Sequence, residues 1–132
     1  AGDVPLKMIL ATGELGTEEN IAHAARLCLE AGADFLKTST GKEAVNATFP
    51  AGRVMLREIE RYRAERGRAA GFKASGGIRT PEHALGWGEL VRGVVGDEGL
   101  APNRFRIGAS GLLQAIVERL EQLSTSPSPS SA

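Results

Sequence analysis

Apolar residues along this chain alternate between two rhythms. A short apolar run leads into a turn rich in Gly, Ser or Thr, and apolar positions spaced three and four apart follow. The cycle occurs four times. The first run is Leu6 to Leu10, and Ala11-Thr12-Gly13-Glu14-Leu15-Gly16 reads as its turn. Thr17 is a good N-cap, and Glu18 and Glu19 suit a first helical turn, where the helix dipole favours anions. Ile21, Ala24, Ala25, Cys28 and Leu29 form a helical stripe, which Gly32 ends from the C′ position. The second run, Ala33 to Thr38, precedes Ser39-Thr40-Gly41-Lys42 and a helix predicted from about Pro50 to Glu65, with Val54, Met55, Ile59 and Tyr62 on one stripe and Gly67 as its stop. The third, Ala70 to Ala74, precedes Ser75-Gly76-Gly77. Thr80 and Pro81 then supply an N-cap and a proline at the first helical position, and Ala84, Leu85, Gly88 and Val91 the apolar side. The fourth, Arg104 to Ile107, precedes Gly108-Ala109-Ser110 and a helix carrying Leu112, Leu113, Ile116, Val117 and Leu120.

Strands alternating with helices imply a parallel sheet covered by helices, an α/β fold. Four units do not close an eight-stranded barrel, which takes about 250 residues. The chain is therefore either half a barrel needing a partner half or a small open sheet. An open half-barrel exposes two unpaired strand edges, which favours a fragment or an obligate assembly over a self-sufficient monomer. The opening on Ala1 rather than Met, with a strand almost at once, leads to the same expectation of a piece of something longer. We expect one domain over residues 1–123 and a disordered Ser/Pro-rich tail over 124–132.

Composition narrows the function. The 132 residues carry no net charge, which argues against nucleic-acid or anionic-membrane partners. Arg57, Arg61, Arg63, Arg66 and Arg68 alternate with Glu58, Glu60 and Glu65 and read as a solvated helix face. Cys28, the one cysteine, permits no internal disulfide and reads as a buried inert thiol. Without a run of ~18 apolar residues or a charged-then-apolar leader, a reducing cytoplasm is the expected location.

Two lysines stand where chemistry collects in a parallel sheet, at the C-terminal ends of strands. Lys37 lies in Asp34-Phe35-Leu36-Lys37-Thr38, and Lys73 in Gly71-Phe72-Lys73-Ala74-Ser75. One such lysine can simply point to a solvated edge. Two at equivalent places in successive units favour a function. A lysine nucleophile must be neutral, and bringing an ammonium from about 10.4 down to about 7 costs roughly 4 kcal/mol. Partial burial and a second nearby ammonium both push that way. The neutral amine attacks a carbonyl, and the resulting iminium is an electron sink for C–C cleavage. The turns Gly41-Lys42, Gly76-Gly77-Ile78-Arg79 and Gly108-Ala109-Ser110-Gly111 all follow strands. Their glycines let backbone N–H groups approach an anion, which points to a phosphate site. His23 and His83 fall on helices, and no His/Cys/carboxylate set has zinc spacing, so a metal-dependent reaction is not expected. Asp3 and Asp34 mark strand starts, Glu14 is a weak candidate acid, and Trp87 reads as helix packing.

The segments Thr12-Gly13-Glu14-Leu15-Gly16-Thr17, Gly32 through Lys42, Val45-Asn46-Ala47-Thr48, Gly71 through Thr80 and Phe105 through Ser110 resemble deoxyribose-phosphate aldolase in order and spacing. Asn46-Ala47-Thr48-Phe49-Pro50 and Gly96-Asp97-Glu98 are similar to the animal-type branch. The resemblance runs over about residues 6 to 120. It implies a class I aldolase on a (β/α)₈ barrel, with this chain matching strands five to eight. The implied reaction is reversible cleavage of 2-deoxy-D-ribose 5-phosphate to D-glyceraldehyde 3-phosphate and acetaldehyde, without cofactor or metal. Lys37 matches the Schiff-base lysine, and Lys73 the second lysine that transfers protons and lowers the basicity of the first. Gly41, Lys42, Gly76, Gly77, Arg79, Gly108 and Ser110 match phosphate-binding positions. The family's catalytic aspartate belongs to the half not matched here, and Gly111 stands where many relatives have a second serine. The implied partners are a sugar phosphate and either the N-terminal half-barrel or further copies of the chain. A non-catalytic half-barrel and a transaldolase-like Schiff-base enzyme are the competing readings.

Overall fold

The computed structural model describes residues 2–126. Four strands, β1 (Lys7–Ile9), β2 (Phe35–Lys37), β3 (Gly71–Ser75) and β4 (Phe105–Gly108), form one parallel sheet in sequence order. Between them run α1 (Thr12–Leu15), α2 (Glu18–Glu30), α3 (Phe49–Arg66) and α4 (Pro81–Val95). A 3₁₀ turn, Asp97–Leu100, leads into β4, and α5 (Leu112–Thr125) follows it. Parallel crossovers are right-handed, so a sheet that always steps in one direction keeps its helices on one face. That is barrel topology, unlike a doubly wound sheet with helices on both faces.

Alternation along the strands separates the two faces. Leu36, Phe72 and Ala74 face the helices and are fully buried with Met55, Ile59, Trp87 and Val91. Phe72 and its register partner Phe105 stack in parallel, and Trp87 packs on Phe72 from α4. Lys7, Phe35, Lys37, Lys73, Ser75, Arg106 and Gly108 occupy the opposite parity, on the face without a helix layer. Helix α2 packs on α3, and α3 on α4.

The helices begin and end where local chemistry dictates. The hydroxyls of Thr17, Thr48 and Thr80 accept N–H bonds from Asn20, Ala51 and His83. Gly67 closes α3 in the left-handed conformation at φ 70°, donating to the Arg63 carbonyl. Four expectations need correction. Residues 12–15, read as part of a turn, form the short helix α1. The α3 arginine/glutamate face is not wholly solvated: Glu58 is 8% exposed and lies between α2 and α3, bound by both Arg26 Nε (2.8 Å) and Nη2 (2.9 Å). The apolar stripes of α4 and α5 are only partly covered, with Leu85, Leu113, Val117 and Leu120 exposed. Ser124 and Thr125, expected in the tail, form the last turn of α5. Ser126 is the C-cap of that helix, and residues 127–132 of the expected tail lie outside the described residues.

Candidate active site

The uncovered face of the sheet is a cationic surface. Lys37 is the register partner of Lys73, and Lys73 is the register partner of Arg106. Adjacent strands stand about 4.8 Å apart, so three cationic side chains rise from neighbouring strands on one side. Lys7, on β1, adds a fourth. Partial burial, then the charges of Lys7 and Lys37, hold the Lys73 ammonium below the ordinary lysine value, with Arg106 adding to the effect. Arg106 carries its guanidinium 4.6 Å above the Phe35 ring, a cation–π contact worth about 0.5–1 kcal/mol at an exposed site. The Phe35 ring in turn lies over Gly71, where a side chain would collide with it.

Just beyond the lysines, two buried hydroxyls tie the ends of β2 and β3 together. Thr38 Oγ1 accepts the Ser75 N–H (3.0 Å) and donates to the Ser75 carbonyl (3.1 Å). Ser39 Oγ donates to the same carbonyl at 2.5 Å. Both hydroxyl residues are fully buried. This clamp sets where the Gly76-Gly77 turn leaves the sheet.

Lys73 is held from β4 as well. A Cβ on Gly108 would stand 2.6 Å from Ser75 Oγ and 3.0 Å from Lys73 Cε. The lysine stem therefore crosses the space that a side chain at 108 would fill. Between β1 and α1, Ala11 is the one non-glycine at positive φ among the described residues, at φ 54°. Such a conformation costs a non-glycine residue roughly 1–2 kcal/mol, and it turns the chain from β1 into α1.

Past the strand ends the three turns enclose a cleft of ≈ 460 Å³, its wall including Gly41, Lys42, Gly76, Gly77, Arg79, Gly108 and Ser110. All seven residues marked in the sequence for phosphate thus meet in one place. Lys37 and Lys73 sit on the sheet below it, with Ser75 between Lys73 and the turn. The Gly41 N–H is already engaged by the Glu43 carboxylate at 3.1 Å.

The remaining candidates fall elsewhere. Glu14 is exposed on α1. Asp34 accepts the Leu6 N–H (2.7 Å) and pairs with Arg68 (2.6 Å), which ties strand starts rather than serving a site. Trp87 is buried among helices, with Phe49 and His83 against it. The Cys28 thiol is half-buried and pushed up by burial. Among the described residues no three His, Cys, Asp or Glu side chains come together as a metal site. No helix there is long and apolar enough to cross a membrane. Sequence reasoning passed over Lys7 and Arg106. Both share strand parity with Lys37 and Lys73, which is the signal that could have found them.

Residues 5–102 match the model of the DeoC/LacD family of aldolases. The chain belongs to this aldolase family. It is 52% identical over 119 residues to the deoxyribose-phosphate aldolases of Mus musculus and of Homo sapiens. In each case the match covers 90% of this chain and 37% of the relative. The crystal structure of a putative deoxyribose-phosphate aldolase from Toxoplasma gondii superposes with a TM-score of 0.73 at 29% identity, over 96% of this chain and 49% of that one. The chain thus spans little more than a third of the length of the curated relatives it matches. Its four-stranded parallel sheet, stepping in sequence order, is consistent with part of a (β/α)₈ barrel.

Proposed function

We propose that this chain supplies the Schiff-base lysine and the phosphate cleft of a deoxyribose-phosphate aldolase. The observation that carries the reading is the register pairing of Lys37 with Lys73 on the uncovered face, directly below a cleft bounded by three glycine turns.

In this reading Lys37 Nζ attacks the C1 aldehyde of open-chain 2-deoxyribose 5-phosphate and expels water, leaving an iminium. Loss of the C3 hydroxyl proton drives cleavage of the C2–C3 bond, with the electron pair entering the iminium as an enamine. Glyceraldehyde 3-phosphate departs. Protonation at C2 and hydrolysis then release acetaldehyde and the free amine. Lys73, whose ammonium is held below the ordinary lysine value by burial and by the charges of Lys7 and Lys37, is suited to taking and returning protons in these steps. Lys42, Arg79 and the N–H groups of the Gly76-Gly77 and Gly108–Ser110 turns hold the phosphate, which fixes the carbonyl end over Lys37. A reducing cytoplasm, where a lone thiol such as Cys28 stays reduced, is the proposed location.

A second reading has a specific observation behind it. Among the described residues the lysine face has no helix layer, and the match covers 37% of the relatives' length. The chain then works as a half-barrel whose β1 and β4 edges pair with four further strands, from an N-terminal half or from another copy. Two assays separate the possibilities. Acetaldehyde release from 2-deoxyribose 5-phosphate, with none from ribose 5-phosphate, supports the aldolase and argues against a transaldolase-like enzyme. Turnover that appears only when the complementary half is added supports the half-barrel, and full turnover by the chain alone removes it.

A further inference from the structure

The three turns of the cleft are not equivalent as anion binders. In the loop after β2, the Thr40 N–H donates to both oxygens of the Glu43 carboxylate (3.0 and 3.1 Å). The Gly41 and Lys42 N–H groups donate to Glu43 Oε2 at 3.1 and 3.2 Å. Three successive amides converging on one anion make a nest, the backbone arrangement that also holds phosphates. Here the anion is the chain's own side chain. Those bonds, the one from the Thr40 N–H first, hold the Glu43 carboxyl at about 2 and so favour its charged form. Across the cleft the situation is reversed. The N–H groups of Gly76, Gly77 and Ser110 meet no backbone acceptor among the described residues.

The filled loop is also braced. Asn46 Nδ2 donates to the Glu43 carbonyl (3.0 Å), and Ser39 Oγ lies 3.3 Å from Asn46 Oδ1. The Asn46 side chain sits so close to Gly76 that a Cβ there would come within 2.6 Å of Asn46 Cγ. The β2 loop therefore leans on the turn whose amides remain free.

We propose that Glu43 is a positioning residue that fills the amide nest of its own loop, so that the substrate phosphate is held by the amides of the Gly76-Gly77 and Gly108–Ser110 turns and meets the β2 loop only at the Lys42 side chain. This rests on the phosphate reading of the cleft and refines it. Gly41 serves by its backbone shape, at φ 92°, rather than as an N–H donor to the ligand. The carboxylate has a second effect. A fixed negative charge beside the cleft makes a second anion at these amides unfavourable.

Titration of the ¹⁵N-labelled chain with inorganic phosphate, read amide by amide, tests this. The account expects the Gly76, Gly77 and Ser110 signals to shift along a common saturation curve while Thr40, Gly41 and Lys42 stay in place. In the Glu43→Gln variant the nest loses its anion, and the Thr40, Gly41 and Lys42 amides join the same curve. A role confined to holding the loop together would leave the set of responding amides unchanged between the two proteins, and that result overturns the proposal. Wild-type Thr40, Gly41 and Lys42 shifting together with the glycine turns also overturns it, because phosphate would then displace the carboxylate. A third pattern, no shift at any of the three turns, removes the phosphate reading and this inference with it.

Discussion

Lys37 stands directly opposite Lys73 across the β2–β3 pair, and Lys7 on β1 bears on the same amine. The basicity of Lys73 is therefore a property of the surface rather than of one neighbour. Lys7→Met removes a charge that holds the Lys73 ammonium below its ordinary value, so that value should rise. Side-chain NMR titration of Lys73 measures it. An unchanged midpoint would mean that Lys7 is too far or too solvated to matter.

Gly108→Ala places a methyl group where Lys73 Cε and Ser75 Oγ now stand. Overpacking of this kind costs typically about 1–3 kcal/mol, but the larger effect should fall on the amine. We expect the Lys73 titration midpoint to move and acetaldehyde release, assayed with the complementary half present, to fall by at least tenfold. Gly111→Ala, next to the same turn but with nothing near its Cβ, is the control and should leave both intact.

Gly52 lets α3 approach α4. A Cβ there would penetrate the Trp87 ring edge and lie 3.0 Å from its Cη2. Gly52→Ala should lower unfolding free energy by about 1–3 kcal/mol, read by denaturant unfolding. Gly93→Ala, exposed on α4 with open space around its Cβ, should instead stabilise by up to about 1 kcal/mol through helix propensity. Equal effects of the two would contradict the packing argument.

Acid should unfold the chain through identifiable carboxylates. Glu43 is held at about 2 by the loop amides, chiefly that of Thr40. The Leu6 N–H and then Arg68 hold Asp34 below the usual carboxylate range. A folded value below the unfolded one means stability that is complete above the unfolded value and lost as pH falls through the folded value. The thermal midpoint of the wild type should therefore drop between about pH 4.5 and 2. Asp34→Asn and Glu43→Gln should each flatten that drop while lowering the midpoint near neutrality. A slope unaffected by both substitutions would place the acid-labile groups elsewhere.

Much of this was legible in the sequence, for physical reasons. Thr17, Thr80 and Gly67 announce helix ends because their side chains or their freedom at positive φ satisfy local backbone groups. Lys37 and Lys73 stand out because charge inside apolar strand-like runs needs a reason. Residues 12–15 were not legible as a helix, since Gly13 and Gly16 punctuate a stretch too short to show a period. Glu43 follows a Gly-Lys turn and reads as one more solvated charge, because nothing along the chain reveals that its carboxylate folds back on three amides. The stripe Leu113, Val117 and Leu120 is regular, yet its burial depends on a surface that the described residues do not provide.

The central claim is that Lys37 forms the covalent intermediate, and borohydride trapping tests it most directly. The chain with its complementary half, incubated with acetaldehyde and reduced, should carry one ethyl group on the peptide containing Lys37, and Lys37→Ala should carry none. An ethyl group retained at full yield in Lys37→Ala, or found on Lys73 in the wild type, would contradict the account.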